Sequence, residues 1–169
     1  LFRSLAAARV AHIGDIIPRL EDLSGCDEAK EWGLALARDI TLYRSGKIKW
    51  DHVAEVGVTV FGPPGCGKTQ LAMSLARTLS VPAVFTSYAI WQSNREGHLG
   101  DLLSEMRRSM AEAVSRAPAL WFCDEVDSLP NRNSDDLRHR EWYVAVTNGL
   151  LEISERAARP GVIILGAAN

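Results

Sequence analysis

At 169 residues, with 47% apolar and 24% charged residues, the chain is sized for one domain with a substantial core and is short for two. A net charge of −2 and the lack of any Lys/Arg run give no basis for nucleic-acid or anionic-membrane binding, and no apolar run reaches the ~18 residues of a membrane span. Cys26, Cys66 and Cys123 are odd in number and widely spaced, with no CxxC pair and no zinc-ligand spacing, which argues against a disulfide framework and for a reduced, cytoplasmic setting.

In chain order, LFRSLAAARVAHI predicts a helix to about Ile13; Arg9 and His12 interrupt its apolar stretch, so it does not read as a signal peptide. GDIIPRLEDLSG carries the turn signals of a connector. CDEAKEWGLALARDITLYRSG places Ala29, Trp32, Leu36 and Ile40 on one helical stripe, with Gly46 as its stop. From there short apolar runs alternate with helices. GVTVF, AVFTS, ALWFC and GVIIL predict strands. GKTQLAMSLARTL, GHLGDLLSEMRRSMAEAVSRA and DLRHREWYVAVTNGLLEISERAA predict helices, the second with Leu99, Leu102, Leu103, Met106, Met110 and Val114 on one face. Such alternation implies an α/β fold with a parallel sheet covered on both faces, whose ligands sit at the carboxyl ends of the strands. Chemistry is therefore expected just after Phe61, Ser87, Cys123 and Leu165.

After Phe61 comes GPPGCGKT, a complete G-x-x-x-x-G-K-(S/T) match between a predicted strand and a predicted helix. Gly62, Pro63, Pro64, Gly65, Cys66, Gly67, Lys68, Thr69 and the following Gln70 form a candidate cradle for phosphate. Backbone N–H groups and the positive end of the helix would face the anion. Lys68 is placed to reach the β- and γ-phosphates of ATP and Thr69 to give its hydroxyl to Mg²⁺. After Cys123 comes DEVDSL. Two adjacent acids ending a buried strand need a cation nearby, so Asp124 is assigned to the Mg²⁺ shell and Glu125 to polarising water. Asn169, at the tip of VIILGAAN, is neutral, both donates and accepts, and is suited to orienting that water.

Cys66 lies within the phosphate loop at a helix N-terminus. It is either a reactive thiol whose alkylation blocks nucleotide binding or an inert space-filling residue. Trp32, Trp121 and Trp142 read as packing residues, and His139 as part of a charged helix start.

GPPGCGKT, LWFCDEVDSL and VIILGAAN, in this order and at these spacings, resemble the AAA ATPase family within the AAA+ group of P-loop NTPases. The lead-in LEDLSGCDEAKE is similar to that family's D-(I/L)-x-G-x-x-x-A-K segment, and its GCDEAK to membrane-anchored AAA proteases in particular. The resemblance implies a three-layer α-β-α P-loop NTPase fold with a mostly parallel sheet, the AAA+ large subdomain without its lid. Residues 1–19 would be an N-terminal helical or linker segment, and residues 20–169 the ATPase core, cut after sensor 1. It also implies that Leu23 to Gly25 lie near the adenine, that Asn169 is sensor 1, and that the parent protein forms a ring, usually a hexamer, that remodels or unfolds proteins.

The family's arginine finger and second sensor follow sensor 1. The chain as it stands is therefore expected to be mostly monomeric and to bind ATP better than it hydrolyses it. Family members that thread polypeptide carry an aromatic-apolar-Gly triplet where this chain has Arg95-Glu96-Gly97-His98. Tyr88 and Trp91 fall several residues earlier, where packing on the sheet edge suits them as well as a substrate contact. Arg132 sits where relatives often place an interface cation, and a solvated loop arginine fits equally. Two further functions stay open, the ATPase module of an AAA protease and a nucleotide-gated scaffold with little turnover. Glu125 argues against the scaffold.

Overall fold

Four of the apolar runs form parallel strands in a computed structural model that describes residues 9–11, 17–93, 99–128, 137–158 and 161–169. They are β2 (Gly57–Phe61), β3 (Ala83–Ser87), β4 (Ala119–Asp124) and β5 (Val162–Ala168), and β1 (Arg9–Ala11) adds a fifth, antiparallel strand. The sheet order is β1-β3-β4-β5-β2. β4 and β5 are longer than ALWFC and GVIIL alone suggested, because in-register pairing of Ser87 with Asp124 and of Phe61 with Ala168 carries the ladder to the strand tips.

The helix expected up to Ile13 is not what forms at Arg9–Ala11. Those residues pair with Phe85, Val84 and Ala83 and cover what would otherwise be an open edge of β3. Satisfying a row of backbone groups outweighs the helix preference of a short alanine-rich run.

Alternation along the inner strands then builds two cores. Leu120, Phe122, Ile163 and Leu165 face α1 (Asp27–Arg44) and α2 (Lys68–Leu79), where Leu36, Ile40, Leu71 and Leu75 meet them. Ala119, Trp121, Cys123 and Val162 face the opposite way, toward α4 (Leu99–Ser115) and α5 (Leu137–Ala158). This is the three-layer arrangement expected from strands buried on both faces. On α4 the buried stripe is Leu102, Met106, Ser109, Met110 and Ala113; Val114 is exposed, one position past the stripe. Ser109 is buried because its hydroxyl accepts from the Trp121 indole at 3.1 Å and donates to the Met106 carbonyl at 2.8 Å.

A short helix, α3 (Tyr88–Gln92), follows β3, capped by the Ser87 hydroxyl, which accepts from the Ile90 N–H at 3.2 Å. Trp91 is 1% exposed and stacks on Trp121 with ring centroids 6.2 Å apart, so it is a core residue. The Tyr88 hydroxyl accepts from Gln92 Nε2 at 2.9 Å. Arg95, Glu96, Gly97, His98 and Arg132 lie outside the described residues, as does the side chain of His139. Among the described residues, no helix is long and apolar enough to cross a membrane.

Candidate functional site

The strand ends converge on the loop between β2 and α2. The Gly62 N–H donates to the Ala168 carbonyl at 3.1 Å, which ties the loop to the tip of β5. Gly65 and Gly67 have φ of +80° and +93°, a conformation side chains resist, and Gly67 is the residue from which α2 springs. The free N–H groups of the first turn of α2 therefore open onto the loop.

Lys68 is the first residue of α2. Its ammonium donates to the carbonyls of Gly62 (2.5 Å) and Pro63 (3.2 Å) and to Asn169 Oδ1 (2.8 Å). Next to it, the Thr69 hydroxyl donates to Asp124 Oδ2 at 3.2 Å, and Asp124 Oδ1 accepts from the Glu125 N–H at 2.9 Å. Glu125 is exposed and left-handed, with φ of +53°, where the chain turns sharply out of β4. Asp127 then accepts from the backbone N–H of Asn169 at 3.1 Å. The structure thus brings together Lys68, Thr69, Asp124, Glu125 and Asn169, as their motifs suggested, and adds Asp127.

Beside this network lies a cleft of about 790 Å³ between the lead-in to α1 and the end of β2. Gly25, Gly62, Pro63, Cys66, Gly67, Lys68 and Gln70 line it; Pro64, Gly65 and Thr69 belong to the same loop without lining the cleft. Among the lining residues that the sequence does not single out as site residues are Cys26, Trp32, Glu55 and Phe61. Trp32 does pack against the core under α1, but it also donates its indole N–H to the Glu55 carbonyl at 3.0 Å on the cleft wall. Glu55 is held at φ of +50°, which no residue-type signal announced. Phe61 is 77% exposed, and its place at the end of a strand just before the glycine loop was a usable signal. Cys66 is exposed on the cleft, whereas Cys123 is buried, and burial, with the Asp124 carboxylate adding to it, pushes its thiol up to about 12.

The donor set fits a magnesium–polyphosphate ligand. Backbone N–H groups and one ammonium face the loop, a combination that binds phosphate oxygens. The Thr69 hydroxyl and Asp124 carboxylate are adjacent hard oxygen donors of the kind Mg²⁺ prefers, and Glu125 and Asp127 deepen the negative field there.

Fold and site together define a P-loop nucleotide-binding domain. Residues 58–169 match the family described as "ATPase family associated with various cellular activities (AAA)", and the chain belongs to that family. It is 29% identical over 174 residues to the ATP-dependent zinc metalloprotease YME1L of Drosophila melanogaster, covering 100% of this chain and 23% of the relative. It is 34% identical over 157 residues to the mitochondrial inner membrane i-AAA protease supercomplex subunit YME1 of Saccharomyces cerevisiae, covering 89% of this chain and 20% of the relative. The chain thus spans about a fifth to a quarter of the length of these two relatives. Among solved structures, one described as "Structural Basis for Katanin Self-Assembly" superposes with a TM-score of 0.67 at 22% identity, over 95% of this chain and 49% of that one, a likeness of fold.

Proposed function

We propose that this chain binds ATP with Mg²⁺ and hydrolyses it as the nucleotide-binding core of a ring-forming AAA motor that remodels or unfolds proteins. The observation that carries the reading is the 2.8 Å contact between Lys68 Nζ and Asn169 Oδ1, which joins the phosphate loop to the tip of β5 across 101 positions of sequence. That contact joins an ammonium and a side-chain amide beside the Thr69–Asp124 pair, which supports a role for both at a γ-phosphate.

Lys68 exchanges its loop carbonyls for oxygens of the β- and γ-phosphates and offsets their charge. Thr69 and Asp124 would hold Mg²⁺, which would supply positive charge to offset that of the phosphates. Asn169, fixed through its backbone by Asp127, orients a water against the γ-phosphorus. Glu125, exposed at the end of β4, takes the proton as that water's oxygen bonds to phosphorus; the bond from the γ-phosphorus to the bridging oxygen breaks, and ADP leaves with the electron pair. Gly25 and its neighbours form the wall for the base. Ring assembly of the full-length protein, as a homo-hexamer, is part of the same proposal, and family membership supports it.

The test is a pair of substitutions in the full-length protein. Glu125→Gln is expected to keep ATP binding and abolish phosphate release, and Lys68→Ala to lose both. Unimpaired turnover in Glu125→Gln would refute the assignment of the base, and turnover absent from the unaltered protein would favour a nucleotide-gated scaffold.

A second reading, the ATPase module of an AAA protease, is favoured by the protease names of both relatives and by the GCDEAK lead-in. An H-E-x-x-H helix in the full-length sequence, together with chelator-sensitive proteolysis, would establish it. ATP-dependent unfolding without proteolysis would exclude it.

A further inference from the structure

The cleft wall formed by Leu23 to Cys26 is irregular backbone, which keeps its shape only where its carbonyl and N–H groups find partners. Its upstream end is well anchored. Leu20 is fully buried, its N–H donates to Thr78 Oγ1 at 2.8 Å, and it packs so closely on Gly33 that a Cβ there would lie 2.4 Å from Leu20 Cδ2. Beyond the short turn at Leu20–Asp22 the chain runs on to Gly25, at φ of +81°, where an added Cβ would meet nothing within 4 Å.

Lys30 bridges this stretch from the first turn of α1. Its ammonium donates to the carbonyl of Glu21 at 2.5 Å and to that of Leu23 at 2.9 Å, while its own N–H donates to the Cys26 carbonyl at 2.8 Å. The side chain therefore holds the upstream part of the bend that becomes the cleft wall, at Glu21 and Leu23, through charge-assisted bonds about twice as strong as neutral ones, and the helix backbone holds its Cys26 end. Lys30 does not line the cleft itself. We propose that Lys30 is a positioning residue for nucleotide binding: it sets the Leu23–Cys26 backbone against which the base rests, and leaves the phosphate loop untouched.

The inference rests on the nucleotide reading above, and the experiment separates the two. Titration calorimetry on the chain compares Mg-ATP with inorganic tripolyphosphate, which occupies the phosphate loop but has no base. Lys30→Met is expected to weaken ATP about tenfold and to leave tripolyphosphate unchanged. Lys30→Arg, which keeps a cation with several donors, is expected to restore ATP affinity. Amide exchange at Leu23 to Cys26 is expected to quicken in Lys30→Met and to return to normal in Lys30→Arg. Equal weakening of both ligands, no weakening of either, or an unfolded Lys30→Met would each overturn the proposal, because each makes Lys30 either a general fold determinant or a bystander. An unaltered chain that binds neither ligand would overturn the nucleotide reading and this inference with it.

Discussion

At the residue scale, the site depends on side chains whose surroundings differ although their types repeat. Cys66 is exposed on the cleft, whereas Cys123 lies under α4 and α5, 2% exposed, with its thiol pushed up to about 12 by burial and by Asp124. A thiol held protonated and covered is inert. Iodoacetamide is therefore expected to label Cys66 in the folded chain and not Cys123, and labelled chain to lose ATP binding, with Mg-ATP slowing the labelling; peptide mass spectrometry reads the sites. Equal labelling of both would contradict the buried position of Cys123. Asp127 supplies a second prediction. Its carboxylate holds Asn169 by the backbone N–H, so Asp127→Ala should slow phosphate release by the full-length protein about tenfold while ATP affinity holds. Asp127→Asn keeps an acceptor oxygen and should retain most of the rate.

At the element scale, short segments are held by a few well-placed contacts. α3 contains only Tyr88–Gln92, too short to persist alone, and its hold on the sheet is the stack of Trp91 on Trp121. Trp91→Ala should cost about 3–5 kcal/mol in urea unfolding, as expected for an aromatic core truncation. A surface residue kept for contact with substrate would lose almost nothing. The lead-in turn is held from the other side of the sheet. Gly33→Ala would press a methyl between Leu20 and Leu75, both fully buried, with contacts of 2.4 and 2.9 Å before relaxation. Overpacking of that kind costs about 1–3 kcal/mol, more than the roughly 1 kcal/mol that alanine gains over glycine in a helix, so the melting temperature should fall. A rise would mean that Leu20 has room to move.

At the scale of the whole molecule, the sheet order places the phosphate loop on β2, the Asp-Glu pair on β4 and Asn169 on β5, which lies between those two. A ligand that touches all three strand ends ties together both cores, since β4 and β5 contribute to each. Mg-ATP at a hundredfold excess over its dissociation constant should add about 2.7 kcal/mol to the stability of the chain as a unit, visible as a single shifted thermal transition. Lys68→Ala should abolish the shift. A shift confined to part of the transition would show that the two cores unfold separately.

The candidate site and the fold are legible in the sequence wherever they are carried by neighbours along the chain. GPPGCGKT, the Asp-Glu after ALWFC, and the Leu36 and Ile40 stripe of α1 are local patterns, because a loop's backbone freedom and a helix's period are properties of a few consecutive residues. The two motifs together then extended this to Asn169, which as an isolated amide at a strand end carried little. What only the tertiary structure decided is non-local: the pairing of Arg9–Ala11 with β3, the meeting of Lys68 with Asn169, and the cleft wall where Trp32 holds Glu55 and Lys30 holds Leu23. Apart from the side-chain contact of Lys68 with Asn169, each of these joins segments through backbone carbonyls or edge groups, which every residue possesses alike. Only the register of the folded chain selects which of them meet.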